Sequence, residues 1–251
     1  MKSKLFTSLF VAAAAFSATT AYAMDFDAFV IRNANGTGDV PAITENATGD
    51  GAKCETPLGG QKVGYGTSHF DGQTFGSIGS VSFDWVAQPG ETVAPSIIPY
   101  VNVWVTDGAG NYAVISTEND YRGSDWSTWS QFKVFETDMD NAGDLDWLLG
   151  GNAANRSSQY LQKSDGLGGW VNVTGADLAG LIIADPGTYP APIGTGAPKN
   201  GTGFNIIWGD TATNYAGIYE YENLVVTEVP EPASLALLGL GGLALLRRRH
   251  A

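Results

Sequence analysis

Two stretches of this chain have residue types and spacing suited to chemistry. The first is Asp138-Met139-Asp140-Asn141-Ala142-Gly143-Asp144-Leu145-Asp146. Calcium takes about six to eight oxygens, and a tight Gly-turned loop gathers them. Asp138, Asp140, Asp144 and Asp146 fall where an EF-hand loop places oxygens, with Gly143 at its sharp turn. Ala142 stands where another oxygen belongs, and Leu149 replaces the bidentate Glu, so this is not an EF-hand. Two readings stand: an irregular Ca²⁺ loop that braces an extracellular β domain, or a solvated acidic turn. The second stretch is Pro230-Glu231-Pro232. Proline has no N–H and disfavours helix in the residue before it, so this tripeptide is an extended, exposed spacer, the form of backbone a protease takes.

Other catalytic chemistry is poorly supplied. The chain has two histidines, His69 and His250, and a single cysteine, Cys54. That count excludes a His-rich zinc site, and no G-x-S-x-G accompanies any serine. His69 reads as a surface-loop residue or a satisfied polar contact. Cys54 has no partner for an intramolecular disulfide and reads as a buried small hydrophobe, with pairing between chains as the alternative. The 26 acids leave carboxylate pairs for glycoside hydrolysis open, because no spacing along the chain fixes their separation in space.

Aromatic rings are the remaining resource. Exposed rings stack on the apolar faces of sugars, and Trp126 and Trp129, set among polar neighbours in Asp125-Trp126-Ser127-Thr128-Trp129-Ser130, are expected to be exposed. Trp104 projects opposite a valine face and is the third candidate glycan contact. Most tryptophans of a β protein belong to its core, and that is the competing reading for each of the three.

The termini carry addresses. Lys2 and Lys4 precede an apolar stretch, and Ala21-Tyr22-Ala23 forms an A-x-A cleavage site before Met24, the pattern of a Sec signal peptide spanning residues 1–23. At the other end, Pro230-Glu231-Pro232 is followed by the apolar run 233–246 and then by Arg247, Arg248 and Arg249. As a helix those 14 residues rise about 21 Å, short of the ~30 Å hydrocarbon core. Gly239, Gly241 and Gly242 weaken the helix further. The arginines set its C-terminus in the cytoplasm. A short, oriented and glycine-softened transmembrane helix suits a temporary hold.

This order of pieces over residues 229–251 resembles the PEP-CTERM sorting signal. The resemblance implies recognition by an exosortase, a membrane protease that cuts near the Pro-Glu-Pro, followed by release or transfer to the cell surface. The same segment is also known as an ice-binding-protein C-terminal domain, a label that implies no ice binding here.

Residues 24–228 form the body. Five of the 13 basic residues lie in the two termini, so the 26 acids between residues 25 and 231 face only eight basic residues and leave that region at −18. Such a field disfavours nucleic acid and anionic lipid as partners. It favours solubility and tolerates divalent cations and neutral polymers.

Glycine (33 residues) and proline (11) divide the body into short runs of β-branched and aromatic residues. Strands are expected at 26–31, 61–66, 80–86, 98–106, 112–116, 128–135, 170–174, 204–208 and 218–227. Val81, Phe83 and Trp85 alternate onto one face, as do Val101, Val103 and Val105, and a Gly-rich loop at 107–111 joins a hairpin. One short helix is expected at 176–184, and a further helical turn at 144–149.

The fold expected is an all-β, single-domain β-sandwich or jelly-roll-like body. The function expected is an exported, non-enzymatic surface or matrix protein that passes through the Sec machinery and an exosortase and contacts extracellular polysaccharide. A secreted glycan-active enzyme and an adhesion protein without a glycan ligand are the alternatives.

Overall fold

The computed structural model describes residues 24–33, 39–90, 97–118, 123, 125–136, 145–156, 160–188, 201–209 and 215–229. The β-branched and aromatic runs between glycine turns become strands, numbered here along the chain. The largest sheet contains β1 (Asp27–Arg32), β4 (Lys62–Thr67), β6 (Tyr100–Thr106), β7 (Tyr112–Ser116), β8 (Lys133–Glu136), β12 (Ile182–Ile183) and β13 (Phe204–Trp208). Its order is β1-β4-β13-β6-β7-β8, with β12 paired to β6 beside that path. A four-stranded sheet contains β2 (Ala42–Glu45), β3 (Ala52–Thr56), β5 (Ile78–Trp85) and β14 (Gly217–Glu228), in the order β2-β3-β14-β5. A small sheet contains β9 (Ala154–Asn155), β10 (Gln162–Ser164) and β11 (Trp170–Asn172), with β10 central. Every pair is antiparallel, so the body is all-β.

The last two strands are interior. β13 lies between β4 and β6, and β14 lies between β3 and β5. Neither large sheet is complete until residues near the C-terminus of the body arrive. Such non-local pairing makes folding slow relative to helical domains of similar size.

One apolar cluster joins the two large sheets. Val63, Tyr65, Val103, Ile115 and Ile206 from the first meet Cys54, Val81, Tyr219, Tyr221 and Val226 from the second. The alternation expected in β6 is present: Val101, Val103 and Val105 enter this core. Trp104 points the other way and packs with Tyr112, Val114 and Phe135 on the opposite face of β6 and β7. The hairpin at 107–111 also forms, with Thr106 paired to Tyr112.

Some elements differ from expectation. The helix expected at 176–184 is a single turn, α1 (Gly175–Leu178), fixed by Asp177 Oδ2, which accepts from both the N and Oγ1 of Thr174 at 2.9 Å. The β-branched pair Ile182–Ile183 leaves the helix and pairs with Thr106 and Val105 instead. The strand expected at 128–135 begins only at Lys133, because the carboxylate and carbonyl of Asp125 hold residues 127–129 in a turn. The strand β3 reads Ala-Lys-Cys-Glu-Thr and escaped notice because its inward residues are small. Ala52, Cys54 and Thr56 are buried while Lys53 and Glu55 pair outside at 2.8 Å. The helical turn expected at 144–149 is a 3₁₀ turn over Asp146–Leu149, ended by Gly150 at φ +63°.

Candidate functional site

The sorting signal starts where the ladder of β14 stops. Glu228 is the last residue of β14 and pairs with Ile78 of β5. Val229 N donates to Ser77 O at 2.8 Å, and Glu228 Oε1 lies 2.5 Å from His69 Nε2. This contact makes His69 a satisfied polar residue, as its sequence context suggested. Beyond Val229, the residues Pro230, Glu231, Pro232, Arg247, Arg248 and Arg249 lie outside the described residues, and so do Ala21 and Ala23. Among the described residues no helix is long and apolar enough to cross a membrane.

The tryptophans are distributed differently from expectation. Trp126 is not exposed but 1% accessible, its ring 5.3 Å from Phe75 and 5.5 Å from Phe132. Its polar neighbours do not lift it into solvent because their backbone is pinned. Trp126 N donates to Gly79 O at 2.8 Å, Ala176 N to Ser127 O at 2.9 Å, and Gly175 N to Trp129 O at 3.1 Å. Helix α1 therefore sits directly on the turn. A Cβ on Gly175 would lie 2.1 Å from the carbonyl oxygen of Trp126, so only glycine permits that approach. Trp129 is half-buried against the same core. Trp104, 4% accessible, is likewise enclosed, stacked at 6.5 Å on Tyr112. The exposed indole is Trp170, 43% accessible, on β11.

Of the acids proposed for calcium, Asp138, Asp140 and Asp144 lie outside the described residues. Asp146 is engaged in its own fold, with Oδ1 accepting from Ala154 N at 2.7 Å. Asp107, at the head of the Gly-rich hairpin loop, takes Ala109 N at 2.8 Å on one oxygen and Asn111 Nδ2 at 2.7 Å on the other. That is ordinary turn chemistry. Among the described residues no three His, Cys, Asp or Glu side chains stand together as a metal set. Cys54 is buried and free, and burial pushes its thiol far up from the ordinary range.

Two acidic features escape a linear reading, because each joins residues far apart in the chain. Asp71 accepts from Gly203 N at 3.1 Å. Burial first, and then the Asp185 carboxylate, push its carboxyl up to about 6. The second is an open cavity of about 760 Å³ with Asp25, Asp27, Glu45 and Asp50 in its lining. Two of these are tied into the wall: Glu45 accepts from the Tyr65 hydroxyl at 2.7 Å, and Asp50 from Asn46 Nδ2 at 2.8 Å. Side-chain hydrogen bonds from Thr48 and then Asn46 hold the Asp50 carboxyl below the usual carboxylate range.

A β-rich body whose last described strand ends at Glu228, two residues before the sequence Pro230-Glu231-Pro232, fits a class: exported proteins sorted through their C-termini. Comparison with protein families makes this specific. The PEP-CTERM protein-sorting motif matches residues 228–249, so the chain is a PEP-CTERM sorting domain-containing protein. The motif marks an exported surface protein, attached to the membrane before processing and targeted by an exosortase, itself a membrane protein. No curated protein and no solved structure matches the chain.

Proposed function

We propose that this protein is a non-enzymatic component of the cell surface or extracellular matrix, with a β-sandwich body that contacts exopolysaccharide. An exosortase cuts near Pro230-Glu231-Pro232 and frees the body or passes it to the surface. One observation carries the reading: the sorting motif follows, without a linker, a strand interior to the four-stranded sheet. Whatever holds the tail thus holds the whole folded body. The apolar cluster shared by the two large sheets supports the sandwich architecture. An exposed indole on a strongly acidic, soluble body supports contact with a neutral polymer.

The test is a pull-down of the exported protein with exopolysaccharide from the producing cells. Co-sedimentation that saturates with added polymer is expected. Protein left entirely in the supernatant overturns the polysaccharide contact and points to adhesion through protein partners.

A glycan-active enzyme is the second reading, favoured by Asp71. A carboxyl that holds its proton to about 6 beside a second carboxylate is the kind of pair that supplies a general acid in glycoside hydrolysis. Release of reducing ends from the same polymer, abolished by Asp71→Asn, supports this reading. Binding without release removes it.

A further inference from the structure

Residues opposite one another on antiparallel strands share a face. Trp170 pairs with Ser164, Asn172 with Gln162, and Gln162 with Asn155. One face of the small sheet therefore carries Trp170, Ser164, Asn172, Gln162 and Asn155. The other carries Ala154, Lys163 and Val171, and its flanking residues Leu161 and Val173 are wholly buried in the core. Lys163 is paired there with Asp177 at 2.6 Å. At the sheet edge both faces reach solvent, with Val171 44% and Trp170 43% accessible. Away from the edge the second face closes on the core at Leu161 and Val173, so the Trp170 face is the outward one there, made only of an indole, three amides and a hydroxyl.

We propose that this outward face of β9, β10 and β11 is the binding platform for a neutral polysaccharide, with Trp170 as the stacking surface and the Gln162, Asn155, Asn172 and Ser164 side chains as hydrogen-bond partners. The inference rests on the reading of the protein as a polysaccharide-contacting matrix component.

Three observations select this occupant. The first is the composition of the face. Amides and hydroxyls donate and accept as sugar hydroxyls do, and an indole supplies a rigid apolar area at low entropic cost. No aromatic ring among the described residues packs on Trp170, which is 43% accessible. The second is charge. None of the five side chains is ionic, while residues 25–231 carry −18. That field repels a uronate-rich or sulfated chain and leaves a neutral one unopposed. The third is rigidity. Asp165 Oδ1 accepts from Leu167 N at 2.7 Å and Gly169 N at 2.8 Å, and Asp165 N donates to Gly169 O at 3.1 Å. The turn before Trp170 is closed by these bonds, and Gln162 Nε2 reaches Asn172 Oδ1 at 3.3 Å across the strands. A platform fixed beforehand loses little freedom on binding.

The test is affinity electrophoresis of the exported protein in gels cast with dextran, a soluble β-1,3-glucan or hydroxyethyl cellulose, and in parallel with polyanionic alginate. Retardation by at least one neutral polymer is expected. Trp170→Ala weakens it tenfold or more, and Trp170→Phe retains most of it. Because Trp170 is largely outside the core, both variants keep the wild-type melting temperature. Unchanged mobility in every neutral gel overturns the proposal, as does retardation by alginate alone. Wild-type retardation of Trp170→Ala removes this face and leaves the broader matrix reading standing. Concentration-dependent self-association abolished by Trp170→Ala also overturns it, in favour of pairing between copies through β11, an edge strand among the described residues. Failure to bind the producing cells' own exopolysaccharide ends the broader reading instead.

Discussion

Trp208 of β13 donates its indole N–H to Thr56 Oγ1 of β3 at 3.0 Å, a fully buried hydrogen bond between the two large sheets. The threonine hydroxyl donates onward to Tyr215 O at 2.6 Å, and the Trp208 ring packs at 4.8 Å on Tyr219. Thr56 is wholly buried and Trp208 3% accessible. Removing one partner leaves the other unpaired away from water. Thr56→Val is expected to cost about 1–3 kcal/mol in urea denaturation with an unchanged slope. A loss within a few tenths of a kcal/mol would show that the bond joins the sheets without stabilising them.

Asp71 makes stability fall as pH rises. Its ordinary value is 3.8, and in the fold it is pushed up to about 6. The unfolded chain therefore releases this proton first, and stability is lost between about pH 4 and pH 6. Asp71→Asn keeps an acceptor for Gly203 N and removes the charge. It is expected to match wild type near pH 4 and to exceed it at pH 7 by about 1–2 kcal/mol, allowing for solvent screening. Thermal melts at the two pH values check this, and an equal effect at both contradicts it.

Cys54 is enclosed on β3, 2% accessible, its thiol pushed up by burial. A maleimide is expected to leave the native protein unlabelled and to label it fully in denaturant. Rapid native labelling, or a dimer that dissociates on reduction, would place the thiol outside the core. Cys54→Ser is expected to destabilise by about 1–3 kcal/mol, since a hydroxyl there enters an apolar cluster.

Much of the fold was legible because it rests on local chemistry. The alternation Val101, Val103, Val105 marks β6, and Asp107 to Asn111 closes its hairpin with bonds inside the loop itself. β3 was hidden because alanine, cysteine and threonine make a weak apolar signal. Ile182 and Ile183 were drawn toward a helix because their strand partners, Thr106 and Val105, lie far back in the chain. The same limit governs the site. Trp126 sits among polar residues in sequence and is nevertheless buried, because β5 and α1 fix its backbone from two sides. Trp170 is flanked by a glycine and a valine, and only the register of β10 and β9 surrounds it with amides. The sorting signal is defined by the order of its pieces along the chain, so residues 229–251 could be read from the sequence alone.

The most direct measurement is the intact mass of the protein recovered from outside the cell. Export and exosortase processing predict a chain that begins at Met24 and lacks Arg247, Arg248 and Arg249, cut near Pro230-Glu231-Pro232, with β14 intact through Glu228. An extracellular chain that retains the three arginines would contradict the sorting account, and one that retains Lys2 and Lys4 would contradict signal cleavage after Ala23.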